Sequence, residues 1–197
     1  MKLRLFLSMS LLFVVVLCAT YLLHIGFFKV GVVFYAAIAD GVIAALLVFA
    51  LLWLPFARAF NPFERFQMLL IWLLAGYAFA ISVPTVIDRS LSFYILEKLA
   101  QRGGGIRQDA MSGVFSQEYM KEHRLVDVRL TEQVESGTIT IEDGCVKLTD
   151  KGRQLAGFSR YFRQHFLPRH RLLMGEYTDA LTDPFRHGSS SGGYECR

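Results

Sequence analysis

Three long apolar runs in the first 87 residues limit how this chain can fold more than any other feature. They cover about residues 5–25, 30–56 and 68–87, and each is long enough to cross a bilayer as a helix. Hydrophobic residues make up 53% of the 197-residue chain and are concentrated here, which is too apolar for a water-soluble domain. We therefore predict an α-helical membrane anchor of three transmembrane helices at residues 1–87.

An acidic residue, Asp40, lies inside the second run and is followed by Gly41. A charged side chain at that depth costs about 2.5–3.5 kcal/mol or more, so we expect Asp40 to have a polar partner. The candidates within the chain are Tyr35, His24 and Lys29. Small residues let helices approach closely, and Gly41 is followed by Ala44 and Ala45. The pattern predicts that Asp40 and Gly41 contact a partner membrane protein.

The apolar part ends at Ile87-Asp88-Arg89-Ser90, which places an acid and a base side by side at the membrane surface. One interpretation is that Asp88 and Arg89 contact a partner or the membrane face. A second is enzymatic, with the arginine clamping a lipid-linked phosphate and the carboxylate acting as base. The third is structural, with Asp88 or Ser90 capping the next helix and Arg89 reaching towards water.

The part that follows has the pattern of a small α/β domain. Apolar spacing predicts a helix over 91–102, which Gly103-Gly104-Gly105 ends. A short helix is expected within 106–115, and a third one runs from Tyr119 to Gly137.

A hairpin and a last helix complete this domain. Alternating residues at 138–142 and 145–149, joined by Asp143-Gly144, predict two antiparallel strands. The last helix begins at Thr149, and Pro168 closes it. We expect the domain to cover 88–174 and a flexible, solvated tail to follow at 175–197.

Two segments of this domain resemble a known fold. Residues 129–139 and 144–152 (RLTEQVESGTI and GCVKLTDKG) look like the third helix, the wing and the "LT-x-KG" sequence of winged-helix proteins. The resemblance covers about residues 90–167 and implies a small α/β winged-helix domain. Three spans leading into it through Ile-Asp-Arg-Ser are also similar to small membrane proteins of bacterial envelope-glycan gene sets.

The winged-helix resemblance implies DNA binding, with the third helix in the major groove. The contacts would come from Arg124, Arg129 and Lys147. Phosphate binding needs an excess of cations, but residues 108–150 carry nine acids and four bases. We therefore do not expect nucleic acid as the partner, and a membrane-tethered DNA-binding transcriptional regulator is the alternative.

The basic part of the domain is its last helix. Residues 151–171 carry six bases and no acid, and aromatic residues alternate with them. The bases include Arg160, Arg163, Arg169 and Arg171. A basic aromatic helix near a bilayer can lie on anionic headgroups, with about 1 kcal/mol gained per basic residue. The pattern predicts contact with a protein or an anionic lipid surface; the alternative is a core helix with a solvated basic side.

Residue types that support catalysis or metal binding do not cluster in this sequence. The five histidines have no cysteine or carboxylate at ligand spacing, and the three cysteines form no metal-type pair or disulfide framework. We predict no catalytic residues, no cofactor and no metal.

These patterns together predict a multi-pass protein of the inner membrane. If the C-terminal domain is cytoplasmic, five bases (Lys29, Arg89 and three that follow it) lie on the cytoplasmic side and four lie outside. The positive-inside rule therefore does not fix the orientation. The winged-helix resemblance favours a cytoplasmic C-terminal domain. The expected function is that of a non-catalytic accessory or scaffold subunit of a membrane complex, and the resemblance to envelope-glycan membrane proteins implies a complex of cell-envelope glycan assembly. The third possibility is the enzyme acting at Asp88 and Arg89.

Overall fold

The computed structural model describes residues 2–186 and Cys196. Its first part consists of helices α1 (Lys2–Phe27), α2 (Val33–Leu51) and α3 (Pro62–Ala80). A π-helical segment, Ile81–Thr85, continues α3 into α4 (Val86–Arg89). The helices Lys2–Phe27, Val33–Leu51 and Pro62–Arg89 are each long and apolar enough to cross a membrane. They agree with the predicted anchor and indicate a membrane-associated protein.

The start of α3 lies earlier than the predicted third span. Asn61 accepts a hydrogen bond from the Glu64 backbone at 2.8 Å, and the Glu64 carboxylate accepts one from the Asn61 backbone at 2.8 Å. Pro62 occupies the first helical position, where its missing N–H costs nothing. Residues 62–67, which lie between the second and third predicted spans, therefore belong to α3.

The end of the third apolar helix contains Pro84, a residue type that disrupts a straight α-helix. The chain continues through the π-helical segment, whose wider turns accommodate a residue that lacks an N–H donor. The helix then ends at Arg89, and Ser90 caps α5 (Leu91–Gln101) by accepting a hydrogen bond from the Phe93 backbone at 3.4 Å. This confirms the predicted capping role of Ser90.

Large side chains from all three apolar helices form one core. Phe13 of α1 stacks on Trp72 of α3 with ring centroids 5.9 Å apart, and both side chains are buried. The Trp72 Nε1 donates a hydrogen bond to the Ser10 hydroxyl at 3.2 Å. At one end of the helices the Lys2 ammonium lies 2.7 Å from the Glu64 carboxylate. The starts of α1 and α3 are therefore at the same end of the bundle.

The helices α2 and α3 touch through two glycines. A Cβ atom built on Gly41 would lie 3.1 Å from the Gly76 Cα, and one built on Gly76 would lie 3.0 Å from the Gly41 Cα. This closeness leaves no room for a side chain.

A leucine at position 41 is expected to push α2 away from α3 and to destabilise the anchor by about 1–3 kcal/mol, because packed helices absorb added volume poorly. The measurement is the midpoint of SDS-induced unfolding of the purified chain. Gly26→Ala is the control, since a Cβ there meets nothing within 4 Å. Equal midpoints for Gly41→Leu and the unmodified chain would show that the glycine contact is not needed.

The chain divides into two compact units, Met1–Asp109 and Ala110–Arg197. The predicted boundary between residues 87 and 88 lies before α5, and α5 belongs to the first unit. The second unit begins with α6 (Met111–Gly113), a π-helical segment Val114–Tyr119, α7 (Met120–Glu122) and α8 (Leu125–Glu135).

The predicted third helix was wrong at its start. The expected helix begins at Tyr119, but the structure ends one helical segment at Glu122 and begins α8 at Leu125. Between them Arg124 has a φ of 44°, a left-handed conformation that interrupts a right-handed helix. The apolar spacing continues across this break, which is why spacing alone did not reveal it.

The predicted hairpin is confirmed. Strands β1 (Ile139–Glu142) and β2 (Cys145–Leu148) pair antiparallel, with Ile139 opposite Leu148. The two residues of the turn, Asp143 and Gly144, have φ values of 52° and 75°. These positive angles suit the tight turn that a two-residue hairpin requires.

Helix α9 (Asp150–Phe166) is fixed to this hairpin at its first turn. The Thr149 hydroxyl donates to the Thr138 carbonyl at 3.0 Å and accepts a hydrogen bond from the Gly152 backbone at 3.1 Å. Gly152 is buried against Thr138 and Leu148. The prediction that the helix begins at Thr149 and closes before Pro168 is therefore confirmed.

A second hairpin lies at the point where the sequence analysis placed the start of the tail. Strands β3 (Arg171–Leu173) and β4 (Glu176–Thr178) pair across a turn in which Met174 and Gly175 have positive φ angles. The predicted tail at 175–197 therefore contains a strand in its first residues, and residues 187–195 and Arg197 lie outside the described part.

A pair of hydrogen bonds joins the two ends of the segment after β4. The Arg186 guanidinium donates to both Asp179 carboxylate oxygens at 2.8 Å, and this lowers the pKa of Asp179 from 3.8 to about 2. Stability from this pair is fully present above pH 4 and is lost as the pH falls towards 2.

In an NMR titration of the full chain, Asp179 is expected to titrate near pH 2. In the Arg186→Gln variant the midpoint is expected to rise towards 3.8. If Asp179 has the same titration midpoint in the unmodified chain and in the variant, Arg186 does not contact Asp179. Glu142 serves as the internal comparison, because Lys147 lowers its pKa in both proteins and the variant does not change that contact.

The second unit also contains a disulfide between Cys145 of β2 and Cys196. The sequence analysis expected no disulfide framework, and this pairing corrects that expectation. The two cysteines are 51 residues apart in sequence. The spacing of these two cysteines in the sequence does not predict the disulfide, because the contact forms only in the folded chain.

Candidate functional site

A row of exposed apolar side chains in the second unit lies on α9. Phe158, Phe162 and Phe166 are 63%, 42% and 63% exposed, and Leu155 is half exposed. Their rings contact one another along the helix, with centroids 5.9 Å apart for Phe158–Phe162 and 5.3 Å for Phe162–Phe166. We call these four residues the aromatic stripe. The rest of the described second unit does not cover the stripe.

Arginines occupy the other sides of the same helix. Arg153 and Arg160 lie opposite the stripe at the 100° spacing of helical residues, and Arg163 lies at its flank. Arg160 is 3.5 Å from Asp183, and within the described residues Arg163 has no ion-pair partner. The alternative of a core helix with a solvated basic side does not fit, because Gly152 is the one residue of α9 that is buried.

The predicted basic helix of residues 151–171 is shorter in the structure. Helix α9 ends at Phe166, so Arg169 lies beyond it and Arg171 begins β3. Leu167 has an extended conformation, which suits the residue before a proline. Arg169 and Arg171 are exposed but do not lie on the helix that carries the stripe.

The three candidate DNA contacts are each paired within the second unit. Arg124 lies 2.8 Å from Asp127, Arg129 2.8 Å from Glu132, and Lys147 2.8 Å from Glu142. Lys147 also lowers the pKa of Glu142, through a hydrogen bond and its positive charge. The cations on α8 and the hairpin are thus largely neutralised by their neighbours, which weakens attraction to phosphate.

Asp40 forms the polar centre of the apolar helices. Its side chain is 1% exposed, and its Oδ1 lies 2.8 Å from the His24 Nδ1. Among the three partners considered from the sequence, the structure places His24 next to it. Asp40 is seven residues into α2, about 10 Å from the start of the helix, whereas His24 is in the last turn of α1.

The small residues near Asp40 are used in packing within the chain. Gly41 contacts Gly76, and Ala44 and Ala45 are fully buried in the core of the anchor. The expected contact of Asp40 and Gly41 with a partner protein thus gains no support from their position, because both are covered by helices of the same chain.

The two charged residues at the end of the third apolar helix differ in exposure. Asp88 is exposed, whereas Arg89 is half-buried and its guanidinium lies 5.9 Å from the centre of the Phe34 ring. A cation over an aromatic ring at this distance is an attractive contact. The charge of Arg89 therefore packs against the bundle.

Two contacts join segments that are distant in the sequence. The His24–Asp40 pair was one of three predicted alternatives, and no sequence signal separates them. The Cys145–Cys196 disulfide was not predicted, because the scattered cysteines show no disulfide framework in the sequence. Among the described residues, no group of three or more His, Cys, Asp or Glu side chains is placed to hold a metal ion.

Known families, curated proteins and solved structures were compared with the chain, and none of them matches it.

Proposed function

We propose that this protein is a non-catalytic accessory or scaffold subunit of an inner-membrane complex and that its second unit is a docking module. The observation that carries the proposal is the uncovered aromatic stripe of α9 with arginines on its other sides. Such a helix fits the headgroup layer of an anionic bilayer, where the rings enter the apolar edge, Arg163 at the flank of the stripe meets phosphates, and the arginines opposite the stripe face water. The apolar helices keep the unit near a bilayer, which raises its effective concentration there.

The winged-helix class of the second unit is part of this proposal. Its support is the order of α8, the β1–β2 hairpin and α9, together with the resemblance of residues 129–152. The role in envelope-glycan assembly has the sequence resemblance as its sole support.

The two other functions lack an observation of their own. DNA binding would need free cations on α8 and the hairpin, and the ion pairs of Arg124, Arg129 and Lys147 oppose this. An enzyme of lipid-linked phosphate would need Asp88 and Arg89 directed at one substrate, whereas Arg89 lies over Phe34.

The subunit proposal is tested by crosslinking in living cells before extraction in mild detergent, followed by mass spectrometry. The expected result is one membrane protein recovered in a stoichiometric amount with the unmodified chain. Phe158→Ser/Phe162→Ser is expected to reduce its recovery, and Phe185→Ser, which changes an exposed phenylalanine outside α9, is the control. Recovery of the chain alone, or with DNA, would contradict the subunit proposal.

The orientation with a cytoplasmic second unit also belongs to the proposal. The Cys145–Cys196 disulfide opposes it, because disulfides persist in oxidising compartments and are rare in the cytosol.

A cytoplasmic second unit predicts that Cys145 and Cys196 are thiols in intact cells. In intact cells that carry the Cys18→Ser variant, both are expected to react with a membrane-permeant maleimide and not with an impermeant one. If both cysteines react only after reduction, they form a disulfide and the orientation is reversed. The reversed orientation would place Lys2, Arg4, Arg58 and Arg65 on the cytoplasmic side, which the positive-inside rule also permits.

A further inference from the structure

We infer that the His24–Asp40 pair is a binding site for an alkylammonium group that enters from the bilayer. The inference is independent of the docking role of α9. It starts from a carboxylate that is 1% exposed and has a single hydrogen-bond partner, the His24 ring, at 2.8 Å. Its other oxygen, Oδ2, is buried and accepts no hydrogen bond from the described residues. A buried acceptor of this kind favours a donor, and a charged donor most.

A cavity lies next to this carboxylate. It has a volume of about 360 Å³ and is lined by Thr20, Leu23, His24, Phe28, Asp40, Ile43 and Leu47. Small-molecule sites have volumes of about 300–1,000 Å³, mostly apolar walls and few polar groups. The cavity has this composition, with one carboxylate, one imidazole and one hydroxyl among aliphatic and aromatic side chains.

The walls show from which side a ligand enters. Leu23, Ile43 and Leu47 are 57%, 46% and 55% exposed on the outer surface of α1 and α2. On helices that cross a membrane, that surface faces lipid. A ligand therefore reaches the cavity with its apolar part in the bilayer and its polar end at Asp40.

The set of donors and acceptors favours an ammonium over a metal ion. Calcium and magnesium need six or more oxygen ligands, and zinc needs three or four nitrogen, sulfur or oxygen ligands from the protein or water. The cavity supplies one carboxylate, one ring nitrogen and one hydroxyl. An ammonium needs only an acceptor with negative charge, and the Phe28 ring next to His24 adds a face that attracts cations.

Other charged groups act near the site. Asp88 lies at the same end of the bundle, because its neighbour Arg89 lies over Phe34 near the start of α2. Two cations, Arg89 and Lys29 of the connection between α1 and α2, lie at this end as well. The acids and bases of this end therefore balance, and the attraction for a ligand cation comes from the buried Asp40 carboxylate itself.

Photoaffinity labelling of the full-length chain in nanodiscs tests the site. The probe is a diazirine-bearing dodecylammonium, and the matched neutral probe is the corresponding dodecanol. In phosphatidylcholine nanodiscs the ammonium probe is expected to label peptides at residues 20–28 and 43–47 about tenfold more than the alcohol, because only the ammonium gains the charge-assisted hydrogen bond. Equal labelling by both probes would overturn the inference.

Two variants remove the site in different ways. Asp40→Asn removes the charge at nearly constant size, and Ile43→Trp fills the cavity from its exposed side without changing Asp40. Both are expected to reduce labelling about tenfold. Glu64→Gln, which removes a carboxylate at the other end of the bundle, is expected to have no effect. Because Ile43→Trp leaves the His24–Asp40 pair intact, full labelling of that variant overturns the inference even if Asp40→Asn does not fold.

Adding phosphatidylethanolamine to the nanodiscs identifies the source of the ammonium. If this lipid reduces labelling by the probe, the site takes a lipid headgroup. If labelling is unchanged, the site takes a free lipophilic amine. Both results support an alkylammonium site, whereas labelling that is independent of Asp40 contradicts it.

Discussion

Replacement of Gly152 by alanine is expected to detach the start of α9 from the hairpin and to destabilise the second unit by about 3 kcal/mol. A Cβ at this position would overlap the carbonyl oxygen of Thr138 and lie 2.8 Å from Leu148 Cδ1. The carbonyl is backbone, and it already accepts hydrogen bonds from the Thr149 N–H and hydroxyl, so it cannot move away at low cost. The measurement is hydrogen exchange of the full chain, read at residues 139–148 and 150–166.

Gly157→Ala is the matched control in the same helix. A Cβ there meets nothing within 4 Å, and alanine favours the helix over glycine by about 0.5–1 kcal/mol. Compared with the unmodified chain, we expect slower hydrogen exchange in Gly157→Ala and much faster hydrogen exchange in Gly152→Ala. Equal protection of the two variants would mean that α9 is not seated on the hairpin through Gly152.

The double variant Phe158→Ser/Phe162→Ser is expected to abolish the docking of α9 on an anionic bilayer. Burying one phenylalanine contributes about 1.5–3 kcal/mol to membrane binding, whereas one basic residue near the surface contributes roughly 1 kcal/mol. Each phenylalanine therefore contributes more binding free energy than each arginine. The measurement is protease cleavage within α9 of the full chain in nanodiscs that contain anionic lipid. Cleavage of the double variant is expected to be at least tenfold faster than that of the unmodified chain.

Two comparisons separate the apolar and electrostatic parts of this effect. Arg160→Gln/Arg163→Gln is expected to accelerate cleavage less than the double phenylalanine variant and to lose its effect in zwitterionic nanodiscs. Phe185→Ser is expected to behave as the unmodified chain does, because Phe185 is exposed but lies outside α9. Fast cleavage of the unmodified chain in anionic nanodiscs would contradict docking through the stripe.

The local patterns in the sequence predicted much of the fold. The three apolar runs correspond to helices long enough to cross a membrane, since length and hydropathy depend on neighbouring residues alone. The hairpin was predictable because Asp143-Gly144 supplies the positive φ angles of its turn. The start of α9 was predictable because Thr149 is a good N-cap.

Features that depend on distant residues or on single backbone angles were not predictable. Nothing in the apolar spacing marks the left-handed Arg124, which separates α7 from α8. The Cys145–Cys196 disulfide and the His24–Asp40 pair join segments that only the folded chain brings together. The stripe of α9 was visible as a pattern, but whether it was buried or exposed depended on what the rest of the unit covers.

The position of α9 relative to the bilayer decides the docking proposal, and spin-label accessibility measures it directly. In a Cys18→Ser/Cys145→Ser/Cys196→Ser background, a nitroxide is attached at Phe162→Cys on the stripe or at Gly157→Cys on the opposite side, in full-length protein in anionic nanodiscs. The label at 162 is expected to be more accessible to oxygen and the label at 157 to a water-soluble nickel complex. If both labels are equally accessible to the nickel complex, α9 lies in water and the docking proposal is wrong.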